Sequence, residues 1–243
     1  MNIALLLCGG VGSRLQSEIP KQYIEVSGKM IVSYALEALA KSALIDAIHI
    51  VAEFEWRERI IADAKKHSIR TDKIVDFAVP GSSRQASIFN GLQSVLSDKN
   101  GIINMEKAGA ENTVMIHDAA RPLLSQEQIE QCFAMLHGHD GVMPVLPMKD
   151  TVYFSDNGKT ITDLMEREKI YAGQAPEVFH LKRYYQANLE LMPDKLEKIN
   201  GSTEPAIIAG MDIAMIEGDE NNFKITTNAD LERFKEIVKH HKE

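Results

Sequence analysis

The sequence is poor in cysteine, in excess positive charge and in long apolar runs, and each shortage closes off a class. Cys8 and Cys132 are the only cysteines in 243 residues. Two thiols so far apart exclude a disulfide scaffold or a zinc ribbon and suggest a reducing compartment. A net charge of −8 argues against broad binding to nucleic acid or an anionic membrane surface. The apolar run near the N-terminus has no basic segment before it and is too short for a signal peptide or a spanning helix. A cytoplasmic protein is the expectation. There is no internal repeat, low-complexity tract or interdomain linker. With 44% hydrophobic and 26% charged residues, the chain is long enough to bury a core without a covalent or metal staple.

The first strong signal is residues 3–8, an apolar strand that runs straight into Gly9-Gly10-Val11-Gly12, then Arg14, then Pro20-Lys21-Gln22. Glycines let backbone N–H groups approach an anion closely, and phosphate is the usual anion at a strand-to-loop junction. Arg14 and Lys21 add full charge where a polyphosphate would lie. Two familiar loops fail here. A dinucleotide fingerprint needs glycine where Leu15 stands, and a Walker loop needs Gly-Lys-Ser/Thr where Gly12-Ser13-Arg14 stands. A different triphosphate loop remains, with its basic pair displaced downstream.

Strand-like and helix-like patterns then alternate. Strands are expected at 47–52, 73–79, 113–117 and 141–145, and helices at 31–40, 57–66, 84–96 and 125–136, the last with Ser125 and Gln128 as a capping box. This rhythm predicts an α/β fold, a mostly parallel sheet with helices on both faces and ligands at the carboxyl ends of the strands. The glycine loop, Gly81-Ser82-Ser83-Arg84 and Asp118 all fall at those ends. After Pro147 the rhythm breaks. Residues 150–154 and 160–164 flank an Asn-Gly turn and predict a protruding β-hairpin. A strand at 211–217, a short stretch at 222–226 and a helix from 228 close the chain. No Ser-His-Asp signature appears. A lone Asp such as Asp118 at a strand end is more often a cap or turn former, although a carboxylate there also suits Mg²⁺.

Gly-Gly-x-Gly-x-Arg followed by Pro-Lys-Gln, Gly81-x-x-Arg84-x-x-Ser87, and His117-Asp118-Ala119-Ala120-Arg121-Pro122 occur in this order. Together they resemble the polyol-phosphate cytidylyltransferase family, which includes 2-C-methyl-D-erythritol 4-phosphate cytidylyltransferase and ribitol-5-phosphate cytidylyltransferase. The resemblance spans nearly the whole chain. It implies a single nucleotidyltransferase-type Rossmann-like domain over 1–243, with 148–173 as an arm that embraces a second subunit in a homodimer. It implies transfer of a cytidylyl group from CTP to a polyol phosphate, in isoprenoid or in teichoic acid and cell wall biosynthesis. Arg14 and Lys21 then stabilise the transition state. Leu7, Cys8, Gly9, Gly10, Val11 and Gly12 line the triphosphate. Gly81, Arg84 and Ser87 read the cytosine, while Ser82, Ser83, Ala119 and Arg121 complete the CTP site. Asp118 holds Mg²⁺ or another divalent metal. Thr151, Arg167 and Lys224 bind the polyol phosphate, with Arg167 and Lys224 also catalytic and Arg167 and Thr151 reaching into the partner's site.

Two departures from the pattern stand out. Gln174-Ala175-Pro176-Glu177 replaces Gln-Thr-Pro-Gln, and Asn200-Gly201 stands where the family has Thr-Asp, with Ser202-Thr203-Glu204 adjacent. Both are expected on the polyol side. The arm and Tyr171-Ala172-Gly173-Gln174 lean toward ribitol phosphate. A same-fold enzyme for another nucleotide or sugar phosphate, and a CTP-binding regulator without turnover, are the alternatives.

Overall fold

The first strand, β1 (Asn2–Leu7), is apolar from Ile3 onward because both of its faces are buried. In the computed structural model, which describes residues 1–10, 19–97, 108–109 and 111–240, Ala4 and Leu6 enter one core and Ile3, Leu5 and Leu7 the other. A strand covered on both sides reads as a continuous run rather than an alternating one. Two short strands follow, β2 (Glu25–Val26) and β3 (Lys29–Met30), and then α1 (Ile31–Lys41), β4 (Ala47–Val51) and α2 (Phe54–Lys66). Next come β5 (Ile74–Ala78), α3 (Arg84–Leu96), β6 (Thr113–Asp118), α4 (Gln126–Met135) and β7 (Gly141–Pro147).

The expected hairpin is present as β8 (Tyr153–Phe154) and β9 (Asp163–Leu164), paired antiparallel. The chain returns through β10 (Tyr171–Gly173), β11 (Glu177–His180), α5 (Leu181–Leu189), α6 (Glu204–Ile208), β12 (Ile213–Glu217) and α7 (Asn228–His240). The main sheet runs β10-β7-β11-β6-β1-β4-β5, with β12 on the far edge of β7. β1, β4, β5 and β6 are parallel, as is the β7–β12 pair, while β10 and β11 run antiparallel to their neighbours. Helices α1, α2 and α4 cover one face and α3, α5 and α6 the other. No helix among the described residues is long and apolar enough to cross a membrane.

Residues 222–226 form no strand. They are held instead by side chains and single backbone bonds. Asn222 Nδ2 donates to the Ala175 carbonyl at 2.9 Å, and Arg121 Nη1 donates to the Asn222 carbonyl at 2.7 Å. The Ile225 amide donates to the Ala120 carbonyl at 2.8 Å, and Asp230 caps α7 by accepting from the amides of Thr226 and Thr227. These bonds fix Lys224 beside the end of β6.

His49 sits in β4 with Nδ1 buried and unpartnered. Burial pushes its pKa down to about 4, against the pull of Asp76. The unfolded imidazole titrates near 6.5, so between about 6.5 and 4 the unfolded chain binds the proton and the folded chain does not. Stability is therefore full above pH 6.5 and falls as the pH drops, by on the order of 2 kcal/mol at pH 5 from this residue. Urea midpoints at pH 7 and pH 5 check this. His49→Gln should flatten that part of the drop, and an equal drop in both proteins would clear His49 of it.

Candidate active site

The carboxyl ends of β1, β4, β5 and β6 open onto one cleft of about 460 Å³. The register of the sheet sets its floor, since Leu7 of β1 lies level with Val51 of β4 and Asp118 of β6. The glycine loop leaves the sheet here and Lys21 returns to it, in a short 3-10 turn (Lys21–Tyr23). Gln22 ties the two ends of the excursion together, because its buried amide donates to the carbonyls of Cys8 and Gly10. Tyr23 Oη adds a bond to the Cys8 carbonyl at 3.0 Å, and its ring stacks on Trp56 at 4.0 Å. Gly9 is required by a close approach: a Cβ there would lie 2.5 Å from Cβ of Pro80.

The second wall is the start of α3. Ser83 caps the helix, its Oγ accepting from the Ala86 amide at 3.1 Å. Ser87 Oγ accepts from the Gly81 amide and donates to the Ser83 carbonyl, so it shapes the turn from within. Ser82 Oγ donates to Glu197 at 2.8 Å. Arg84 then projects toward β6.

Asp118 is nearly buried, and both of its oxygens face cations. Oδ1 accepts from Arg84 Nε at 3.0 Å and Oδ2 from Lys224 Nζ at 2.8 Å. Burial alone would raise its pKa, but Arg84, Lys224 and Arg121 outweigh burial and hold the carboxyl well below the usual carboxylate range. Burial opposes the charge on Arg84 too, and Asp118 with Glu177 more than offsets it. Glu177 goes the other way: burial pushes its carboxyl up, against the pull of Arg84 and Ser202.

Lys21, Arg84, Asp118 and Lys224 thus meet at one cleft, together with Leu7, Gly9, Gly10, Gly81, Ser82, Ser83 and Ser87. Others do not reach it. The side chains of Cys8 and Ala119 are buried in the core, and Ala120 lines the cleft in place of Ala119. Arg121 turns to a neighbouring groove that it shares with Lys149 and Lys224. Thr151 and Arg167 line a separate groove on the arm, where Arg167 Nη1 donates to the Lys149 carbonyl at 3.2 Å. Val11, Gly12 and Arg14 lie outside the described residues.

Sequence reasoning missed Gln22, Glu53, Ala120 and Thr226, which line the cleft, and Glu177 behind it. Gln22 was legible as a neighbour of Lys21, whereas Glu53 and Thr226 carry no local signal. The change at 177, expected on the polyol side, stands behind the cleft beside Arg84. Glu177 Oε2 lies 3.8 Å from Nη2 of Arg84, the residue assigned above to the base. The cause is that β11 runs beside β6, so position 177 backs onto the end of the sheet that carries Asp118.

A divalent cation fits this donor set as a shared guest. Mg²⁺ is commonly held by one or two carboxylates together with substrate phosphates. Asp118 is such a carboxylate at the cleft, and among the described residues no cluster of three His, Cys, Asp or Glu could hold a metal unaided.

The family model described as IspD, 2-C-methyl-D-erythritol 4-phosphate cytidylyltransferase, matches residues 2–240. The 2-C-methyl-D-erythritol 4-phosphate cytidylyltransferase of Thermotoga neapolitana is 32% identical, over 98% of this chain and 97% of the relative. The ribitol-5-phosphate cytidylyltransferase of Vibrio parahaemolyticus is 30% identical, over 98% and 96%. Among solved structures, 4-diphosphocytidyl-2C-methyl-D-erythritol synthase from Anaerococcus prevotii superposes with a TM-score of 0.78 at 22% identity, covering 98% of this chain and 96% of that one.

Proposed function

The chain belongs to the IspD family of 2-C-methyl-D-erythritol 4-phosphate cytidylyltransferases, and from that premise we propose that it transfers a cytidylyl group from CTP to a polyol phosphate, releasing pyrophosphate. The acceptor is ribitol 5-phosphate or 2-C-methyl-D-erythritol 4-phosphate, the substrates named for the two relatives above. The observation that carries the reading is the gathering of Lys21, Arg84 and Lys224 around one cleft in a chain of net charge −8.

In this reaction a phosphate oxygen of the acceptor attacks the α-phosphorus of CTP, a new P–O bond forms, and the bond to pyrophosphate breaks. The nucleophile arrives already ionised, so the protein supplies position and charge rather than a strong base. The α3 entrance, with Gly81 and Ser83, receives the nucleoside. Lys21, with Arg14 assigned by motif, meets the triphosphate charge. Lys224 lies where the acceptor phosphate would approach. A divalent cation at Asp118 supplies further charge neutralisation on the triphosphate when it is bound. The same reading takes the chain as one cytoplasmic domain, with both free cysteines buried and reduced.

The test is a panel of polyol phosphates with CTP and Mg²⁺, assayed for pyrophosphate. Turnover with ribitol 5-phosphate or methylerythritol 4-phosphate names the acceptor. Silence with every acceptor would refute the activity. Lys224→Ala should raise the apparent KM for the acceptor about tenfold or more while moving that for CTP less. Separate KM titrations check this, and a change confined to CTP would reassign the residue.

Dimerisation through the arm belongs to the same proposal. Thr151 and Arg167 stand apart from this chain's own cleft, as residues serving a partner's site would. The hairpin beside them exposes Tyr153, Phe154, Ile161 and Leu164, each more than half open to solvent, an apolar surface that contact with a second subunit would cover. Leu164→Asp should shift the protein toward monomer in sedimentation and lower activity in parallel. A monomeric parent would remove the arm's role.

A further inference from the structure

The two departures from the family pattern meet in space. Ser202, beside the changed Asn200-Gly201, donates its hydroxyl to Oε1 of Glu177. Glu177 therefore has a hydroxyl partner on the loop before α6.

Its carboxylate is placed against the site. Glu177 is 3% exposed, and its second oxygen, Oε2, is fully buried with no hydrogen-bond partner among the described residues. Among the described residues the nearest cation is Nη2 of Arg84 at 3.8 Å, inside ion-pair range and beyond a hydrogen bond. A buried carboxylate oxygen left unpaired is costly, and a small shift of the guanidinium would satisfy it. Arg84 meanwhile gives Nε to Asp118, whose other oxygen is taken by Lys224. One guanidinium therefore lies between two carboxylates, one at the cleft and one behind it.

We propose that Glu177 is a positioning residue that shares Arg84 with Asp118 and keeps the guanidinium at the base-reading wall when a nucleotide and its counter-cation engage Asp118. The inference rests on the nucleotide reading of the cleft. Without a second acceptor, drawing Asp118 toward a cation would set Arg84 loose at the moment it is needed. With Glu177 behind it, Arg84 moves a short way and gains the bond to Oε2. Ser202 holds Oε1, so the carboxylate cannot turn away.

Two measurements test this. The first needs no nucleotide: melting temperatures of Asp118→Asn, Glu177→Gln and the double variant form a cycle. Sharing predicts that the double variant melts lower than the sum of the single shifts by about 3 °C, because only then is Arg84 left without a carboxylate. Additive shifts would overturn the sharing. The second is calorimetric titration of the full-length parent and Glu177→Gln with CTP, in Mg²⁺ and in EDTA. The variant should bind CTP about tenfold more weakly in Mg²⁺, the worth of one charge-assisted hydrogen bond, and change less than about twofold in EDTA. Ser202→Ala should follow in the same direction with a smaller loss. Equal weakening in both buffers would make Glu177 merely structural and overturn the proposal, as would parental affinity in both. A parent that binds no CTP in either buffer would sink the nucleotide reading and the handover with it, while the melting cycle would still report on the sharing.

Discussion

Lys21→Ala is expected to cut the rate of pyrophosphate release roughly 10²- to 10³-fold, the range seen when one preorganised charge-stabilising donor is removed. Affinity for CTP should fall far less. The difference arises because charge on the triphosphate grows and shifts as the α-phosphorus becomes five-coordinate, and an ammonium placed there acts on that change more than on the resting nucleotide. The fold should survive, since Lys21 lies at the cleft wall while Gln22 and Tyr23 carry the buried contacts of that turn. Single-turnover rates beside equilibrium binding of CTP separate the two quantities. Parallel losses in both would make Lys21 a simple binding residue, and an unchanged rate would remove it from the mechanism.

Asp118→Asn should cost still more, about 10³-fold in turnover, because one carboxylate serves two purposes. It neutralises Arg84 and Lys224, and it is the cleft's candidate for the cation. Asparagine keeps the shape and loses the charge, so Arg84, Lys224 and Arg121 face one another with less compensation. Excess Mg²⁺ should restore little of the rate. A Mg²⁺ titration is the check: a curve superimposable on the parent's would acquit Asp118 as ligand, whatever the loss in rate. Acid should act on the same group late. Its folded pKa is depressed, so the stability from its ion pairs is present above the unfolded carboxylate range, near 4, and is lost as the pH falls below it.

The first half of the fold was legible because β1, β4 and β6 are buried on both faces. Residues 47–51 and 113–118 are buried at every position, and a continuous apolar run of that length between helical patterns leaves little choice. The return through β10, β11 and α5 was not read. β11 is four residues long and opens on a glutamate, a residue poorly suited to a buried strand unless a cation and a hydroxyl wait for it. For α5 the signal was present, since Leu181, Tyr184, Ala187 and Asn188 share a buried face at helical spacing.

Motifs located the cleft's cations: Lys21 opens a 3-10 turn, Arg84 opens α3, and Lys224 lies in the irregular stretch before α7. They could not reveal that Arg84 and Lys224 both close on Asp118, a pairing across 34 and 106 positions of sequence. Nor could they separate Ala119 from Ala120. Adjacent residues of identical type differ here only in which one leaves the core.

The bracing of Gln22 and Tyr23 on the Cys8 carbonyl has a mechanical meaning. Lys21 stands at the far foot of the glycine-rich excursion, yet it takes its position from the sheet. The amide of Gln22, the hydroxyl of Tyr23 and the stacked ring of Trp56 bolt that foot to the chassis of β1 and α2. The ammonium is thus anchored through its two neighbours to the sheet and to α2.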